Sequence, residues 1–377
     1  MPRVPLALLS GCLALVPPLA GAAAAAPPEP FGRLVAERFG ELAVPGLGFA
    51  VVEGDEVIEA AGLGVADASS GRPVTATTPF RVASLTKPLA AALLLEAVHR
   101  GAIDLDAPLR DASSRFRDGC EPMRRHFATN GQPYLDGIRC DDEAPSLGHV
   151  LTHTAGTPPG DRFSYNGFLF GLLDEAIGNA SAGPGGGGFA GAVRRAVIEP
   201  LELQDTAAGV ADGRGAAVVA RLAPPHRRRH GRWVVGPFVP DPLNAGAGLI
   251  SSAADLARID VAYRTGLVPA EVLERATAPV TLADGSRSPY AAGWFVQRLD
   301  GREVVWHHGH RPGAYSALWI RDVAADRTLI ALANGDGLAA GQDLHEGDLA
   351  RSALARLFLD WSSRRAAPER PRPVRPR

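Results

Sequence analysis

Phe80-Arg81-Val82-Ala83-Ser84-Leu85-Thr86-Lys87-Pro88 is the stretch from which the rest of the chain is read. Lys87 is the only lysine among 39 basic residues, all the others being arginine. Arginine stays charged in proteins, whereas an ammonium loses its proton when desolvated or placed near other positive charge. A neutral amine at the start of an apolar helix can act as base for a serine one turn earlier, because positions i and i+3 share a helix face. A gene that favours arginine codons could leave the same lone lysine near a serine by chance. The pair therefore needs partners from elsewhere in the chain.

The 377 residues are 46% hydrophobic and 21% charged, which suits a globular protein with a substantial core. A net charge of −2 argues against a general polyanion binder. The run His226-Arg227-Arg228-Arg229-His230 is short, flanked by Pro and Gly, and reads as a solvated loop rather than a nucleic-acid patch. Residues 1–26 read as an export signal: Arg3, then apolar Val4 to Leu19, then a small-residue zone from Ala20 to Ala26. The protein is expected to be periplasmic or secreted. Leu9-Ser10-Gly11-Cys12 also resembles a lipobox, so a lipidated Cys12 is the alternative to cleavage near Ala26. No later run approaches the roughly 20 apolar residues of a membrane span. Cys120 and Cys140 then remain, and an even count in an exported chain suggests a disulfide, with two free thiols as the alternative.

Residues 31–40 read as a helix, and 46–53 with 57–61 as a hairpin around Gly54-Asp55-Glu56. The strongly helix-forming run from Leu85 ends at Gly101. After Leu105 the composition turns polar through the Cys120–Cys140 segment. Helices are expected near 146–153, over 165–177 and over 189–198, with a flexible loop at 181–188. The last third reads as a helix at 253–263, four successive strands between 294 and 332, and a helix over 344–359. The Pro- and Arg-rich tail from Arg364 has nothing to bury. Strands at both ends with helices between suggest one sheet assembled from the two termini.

Ser84-Leu85-Thr86-Lys87 matches the S-x-x-K signature. Val44-Pro45-Gly46, Leu151-Thr152-His153-Thr154-Ala155-Gly156, the segment 200–206 and Gly246-Ala247-Gly248-Leu249-Ile250-Ser251-Ser252 follow in order. The chain thereby resembles the serine β-lactamase and penicillin-binding superfamily, in its β-lactamase-related hydrolase branch. The resemblance covers about 31–360. It implies an α/β, β-lactamase/transpeptidase-like fold: an antiparallel sheet built from both termini and flanked by helices, with an inserted, mostly helical lobe. On that reading 27–365 is one domain, with an α/β lobe near 31–110 and 245–362, a helical lobe near 111–244, and a disordered tail at 366–377.

The resemblance also implies roles. Ser84 would attack a carbonyl to give an acyl-enzyme, with Lys87 as its base. Tyr165, in Phe163-Ser164-Tyr165-Asn166, would pass the proton to the leaving group. His307-His308-Gly309 matches an H-x-G third motif: Gly309 lets substrate lie along the strand edge, and His307 holds a carboxylate or positions the proton network. Backbone N–H groups of Ser84 and His310 would form the oxyanion hole. Asn166 follows Tyr165 directly instead of completing Y-x-N, so it would act from a shifted position. No cofactor is implied. His149 and His153, or His307, His308 and His310, raise the question of zinc, but no H-E-x-x-H is present. Esters, D-amino-acid peptides, cell-wall peptides and β-lactams all suit this machinery, and a β-lactam or cell-wall sensor acylated without turnover is the non-enzymatic alternative.

Overall fold

The structure, a computed structural model, describes residues 29–141, 143–181 and 186–365. The expected export signal with Cys12, the tail 366–377 and residues 182–185 of the expected loop lie outside the described residues.

Strand β1 (Gly46–Glu53) turns at Gly54, φ +58°, into β2 (Glu56–Asp67), and β3 (Arg72–Pro73) adds an edge. Strand β4 (Phe80–Arg81) leads towards Ser84. Strands β5 (His226–Arg229) and β6 (Arg232–Val235) form a hairpin, and β7 (Ile250–Ser251) pairs with β4. The last third supplies β8 (Phe295–Leu299), β9 (Arg302–Arg311), β10 (Tyr315–Asp322) and β11 (Arg327–Ala333). The main sheet has seven strands in the order β3-β2-β1-β11-β10-β9-β8, each antiparallel to its neighbour. The two ends of the chain therefore meet at its centre, with Leu47 opposite Ala333 and Glu53 opposite Arg327.

Both sheet faces are covered, and the period of two sends alternate side chains to different cores. Ala50, Val52, Ile330 and Leu332 join a core with Leu89 and Leu94 of the Thr86–His99 helix. Phe49, Val51, Leu329 and Ala331 join another with Phe31, Phe358 and Trp361. The Thr86–His99 helix is buried on nearly every side, as a core helix without a polar face must be. It is this helix that carries Lys87.

Several elements differ from expectation. The helix expected over 165–177 begins only at Gly167 and breaks at Leu172, giving Gly167–Gly171 and Leu173–Ala180. Asn166 caps the first of these, its Oδ1 accepting the Leu169 N–H at 3.0 Å, so Tyr165 lies in extended chain ahead of the helix. The final helix spans Ala353–Ser363, preceded by 3-10 turns at Leu344–Glu346 and Leu349–Arg351. Gly347, at φ +90°, ends the first turn, and the Ser352 hydroxyl caps the helix. The arginine run is a strand of the β5–β6 hairpin rather than a loop. Its arginines are exposed, but His226 is buried and accepts the Ala68 N–H at 2.9 Å.

Cys120 and Cys140 form a disulfide, Cα to Cα 5.7 Å. Cys120 lies in a helix over Ser114–Thr129 that polar composition conceals; Ser113 caps it, and its buried face is narrow, carrying Phe116 and Cys120. Replacing both cysteines by serine is expected to lower the unfolding free energy by about 3 kcal/mol through lost loop closure. Urea denaturation measures it, and an unchanged midpoint would show that the bridge does not constrain the chain.

Candidate active site

Ser84 occupies a 3-10 turn, Ala83–Leu85, between β4 and the Thr86–His99 helix. Ala83 stands at φ +49°, a left-handed conformation that a residue with a Cβ adopts only when its surroundings impose it. The surroundings here are specific. The Val82 N–H donates to the Leu249 carbonyl at 3.1 Å. The Thr86 hydroxyl donates to the Ala83 carbonyl at 2.8 Å and accepts the Leu249 N–H at 3.3 Å. The Gly246–Ser252 segment thus braces the turn that presents Ser84.

One helical turn on, Lys87 is 1% exposed, its Nζ 2.9 Å from Ser84 Oγ and 2.8 Å from the Gly246 carbonyl. The rings of Tyr165 and Phe170 lie 5.2 and 5.4 Å from the nitrogen. Burial lowers its pKa from 10.5 to about 7. An unprotonated amine at this position can take the Ser84 proton on its lone pair while one N–H stays on the Gly246 carbonyl. The same shift has a stability sign. Between pH 10.5 and about 7 the unfolded chain holds a proton that the folded one lacks, so this group's contribution falls as pH falls through that window.

Tyr165 is held from behind by His153. The Ser164 N–H donates to the His153 carbonyl at 2.8 Å and the Asn166 N–H to His153 Nδ1 at 3.1 Å, so Tyr165 is pinned on both sides. His153 itself stands at φ +56°. The Tyr165 hydroxyl is buried and makes no hydrogen bond of good geometry. Burial raises its pKa, and the neighbouring Ser84 hydroxyl offsets part of that rise. Asn166 does not complete the set: beyond its capping bond, its Nδ2 donates to the Tyr134 carbonyl at 2.6 Å. With Ser164 and His153 it lines a cleft of about 100 Å³.

Strand β9 closes the other side. At Gly309 a Cβ would collide with the Val82 carbonyl, so only glycine lets the strand lie against the Ser84 turn. His307 lies two residues earlier, on the same face of the strand, but is fully buried. Its Nε2 is 3.0 Å from the Tyr290 hydroxyl and its Nδ1 2.7 Å from the His308 carbonyl. Burial first, then the charges of His308 and Lys87, hold its pKa well below 6.5. His308 falls to about 3 for the same first reason, and His153 also falls well below 6.5. These three histidines are therefore uncharged at neutral pH. His310 Nε2 lies 4.0 Å from Asp336 Oδ2, an ion pair only if protonated. Beside it Asp241 bridges Arg81, at 2.6 Å, and Arg311, at 3.2 Å, tying β4 to the end of β9.

Tyr290 and the Gly246 carbonyl are the participants that sequence reasoning missed. Neither stands in a motif with its partner; they meet it only through the fold. Among the described residues no group of three metal-ligating side chains assembles and no helix is long and apolar enough to cross a membrane.

The family model described as Beta-lactamase matches residues 31–352. The chain belongs to this family. It is 29% identical over 340 residues to Esterase EstB of Burkholderia gladioli, covering 74% of this chain and 83% of that protein. A D-aminopeptidase of Gluconobacter oxydans is 27% identical, over 70% of this chain and 51% of its own length, so the chain spans about half of that relative. Among solved structures, the D-amino acid amidase of Ochrobactrum anthropi superposes with a TM-score of 0.64 at 19% identity, covering 89% of this chain and 98% of that one. That likeness establishes the β-lactamase/transpeptidase-like fold. Membership together with the esterase and D-aminopeptidase relatives makes the chain a serine hydrolase.

Gly309→Ala should push β9 off the Ser84 turn and lower kcat/KM by about 10²-fold, the cost of roughly an ångström of misplacement. Steady-state kinetics measure it; wild-type activity in the folded variant would separate β9 from the reaction.

Proposed function

We propose that the protein is an exported hydrolase that cleaves an ester or amide carbonyl through an acyl-enzyme on Ser84. The observation that carries this is the contact of the buried Lys87 Nζ with Ser84 Oγ at 2.9 Å, in an environment that brings the amine to about 7. Ser84 Oγ forms the new C–O bond as its proton moves to Lys87 Nζ. Tyr165, packed over Lys87, hands a proton to the leaving group as the carbonyl bond to it breaks and is reprotonated by the proton that Lys87 took from Ser84, which restores both groups. Water then attacks the acyl-enzyme and regenerates the Ser84 hydroxyl. By the family pattern, the backbone N–H groups of Ser84 and His310 are the donors to the developing oxyanion, and one such donor is typically worth about 3 kcal/mol. Export is supported by the leader-like residues 1–26 and by the Cys120–Cys140 disulfide.

The EstB relative favours esters as substrates; the D-aminopeptidase relative supports a second reading, cleavage next to a D-residue. A panel of p-nitrophenyl esters, nitrocefin and D-amino-acid amides, followed by intact mass, decides between them. Ester turnover lost in Ser84→Ala is the expected result, and stable acylation without turnover would favour a sensor instead. Lys87→Arg keeps the charge but removes the base, and should lower kcat/KM by at least about 10²-fold. In the wild type kcat/KM should rise with pH through about 7, as Lys87 loses its proton. A profile flat across that range would rule out Lys87 as the base.

A further inference from the structure

We infer that Tyr290 is a positioning residue that keeps His307 closed to substrate, so that the site selects esters or amides whose leaving group carries no carboxylate. The inference rests on the hydrolase reading above.

The hydrogen bonds fix the protons. The His308 carbonyl only accepts, so His307 Nδ1, 2.7 Å away, carries a hydrogen. In the neutral ring Nε2 is then an acceptor, and the Tyr290 hydroxyl, 3.0 Å away, donates to it. To grip a substrate carboxylate, His307 would need a second proton on Nε2 and an open path to it. Tyr290 occupies that position, and both residues are 0% exposed. The titratable groups that face His307 are His308 on its own strand, Lys87 from the core helix, His153 from the turn behind Tyr165, and Tyr290 and Tyr165 themselves. None is a carboxylate, and the one group that favours an imidazolium, the His308 carbonyl on Nδ1, is outweighed by burial. Arg81 and Arg311 at the strand end already share Asp241.

The test compares two aryl esters that differ only in a charge on the leaving group: meta-butanoyloxybenzamide and meta-butanoyloxybenzoate, at about pH 6. Wild-type kcat/KM should favour the benzamide by at least about tenfold, the worth of one missing charged hydrogen bond. Tyr290→Phe frees Nε2 and should narrow that ratio at least about threefold, whereas damage to packing alone would slow both esters alike. His307→Gln, which keeps the side chain uncharged, should retain the wild-type preference. Equal rates, an unchanged ratio in folded Tyr290→Phe, or a preference for the benzoate would each overturn the inference. If Tyr290→Phe fails to fold, the wild-type and His307→Gln ratios decide. Absence of Ser84-dependent hydrolysis of the benzamide is a distinct result, since it removes the hydrolase reading itself.

Discussion

An ammonium group buried without a counter-ion is expensive, and the Thr86–His99 helix places one amine in just that situation. Lys87 has a serine hydroxyl, one backbone carbonyl and two aromatic rings for company, and desolvation is what lowers its pKa. The amine relieves the cost by giving up its proton near neutral pH. Arginine could not do so, which gives a physical reason for a lysine here in a chain whose other cations are all arginine.

The rest of the fold serves that burial. The helix must be apolar on all sides to keep water from Lys87, and the sheet must cover it, which fixes the two-faced core. Gly246 must return from the far side of the helical elements to offer its carbonyl, and the segment that follows it holds the left-handed turn at Ala83. Gly309 admits β9 to the same point. His153, His307 and His308 are desolvated too, and each stays neutral. The folded state refuses protons that the unfolded chain would take up as pH falls below 6.5, so acid erodes stability through the residues that surround the chemistry.

What the sequence revealed follows from how local each relation is. Ser84 and Lys87 lie one helical turn apart, so spacing alone puts them face to face. His307 and Gly309 share a strand face for the same reason. The Gly246 carbonyl reaches Lys87 across 159 residues, and Tyr290 reaches His307 from a loop of no periodicity; no pattern announces either. Asn166 was readable as a polar residue beside Tyr165, but whether its amide caps a helix or meets a substrate depends on where the helix starts. The structure gives it the cap. The arginine run was unreadable as a strand because it has no inside–outside alternation: Arg227, Arg228 and Arg229 are all exposed.

Because Lys87 is the only lysine, a sample labelled with carbon-13 at the lysine ε-carbon reports one resonance from the folded protein. Following its shift with pH reads the protonation of this amine directly, independent of any substrate. The expected result is a titration centred near 7, displaced upward when Phe170→Ala admits water to the site. A titration that stays at the ordinary 10.5 would mean that Lys87 remains an ammonium at neutral pH and is not the base for Ser84.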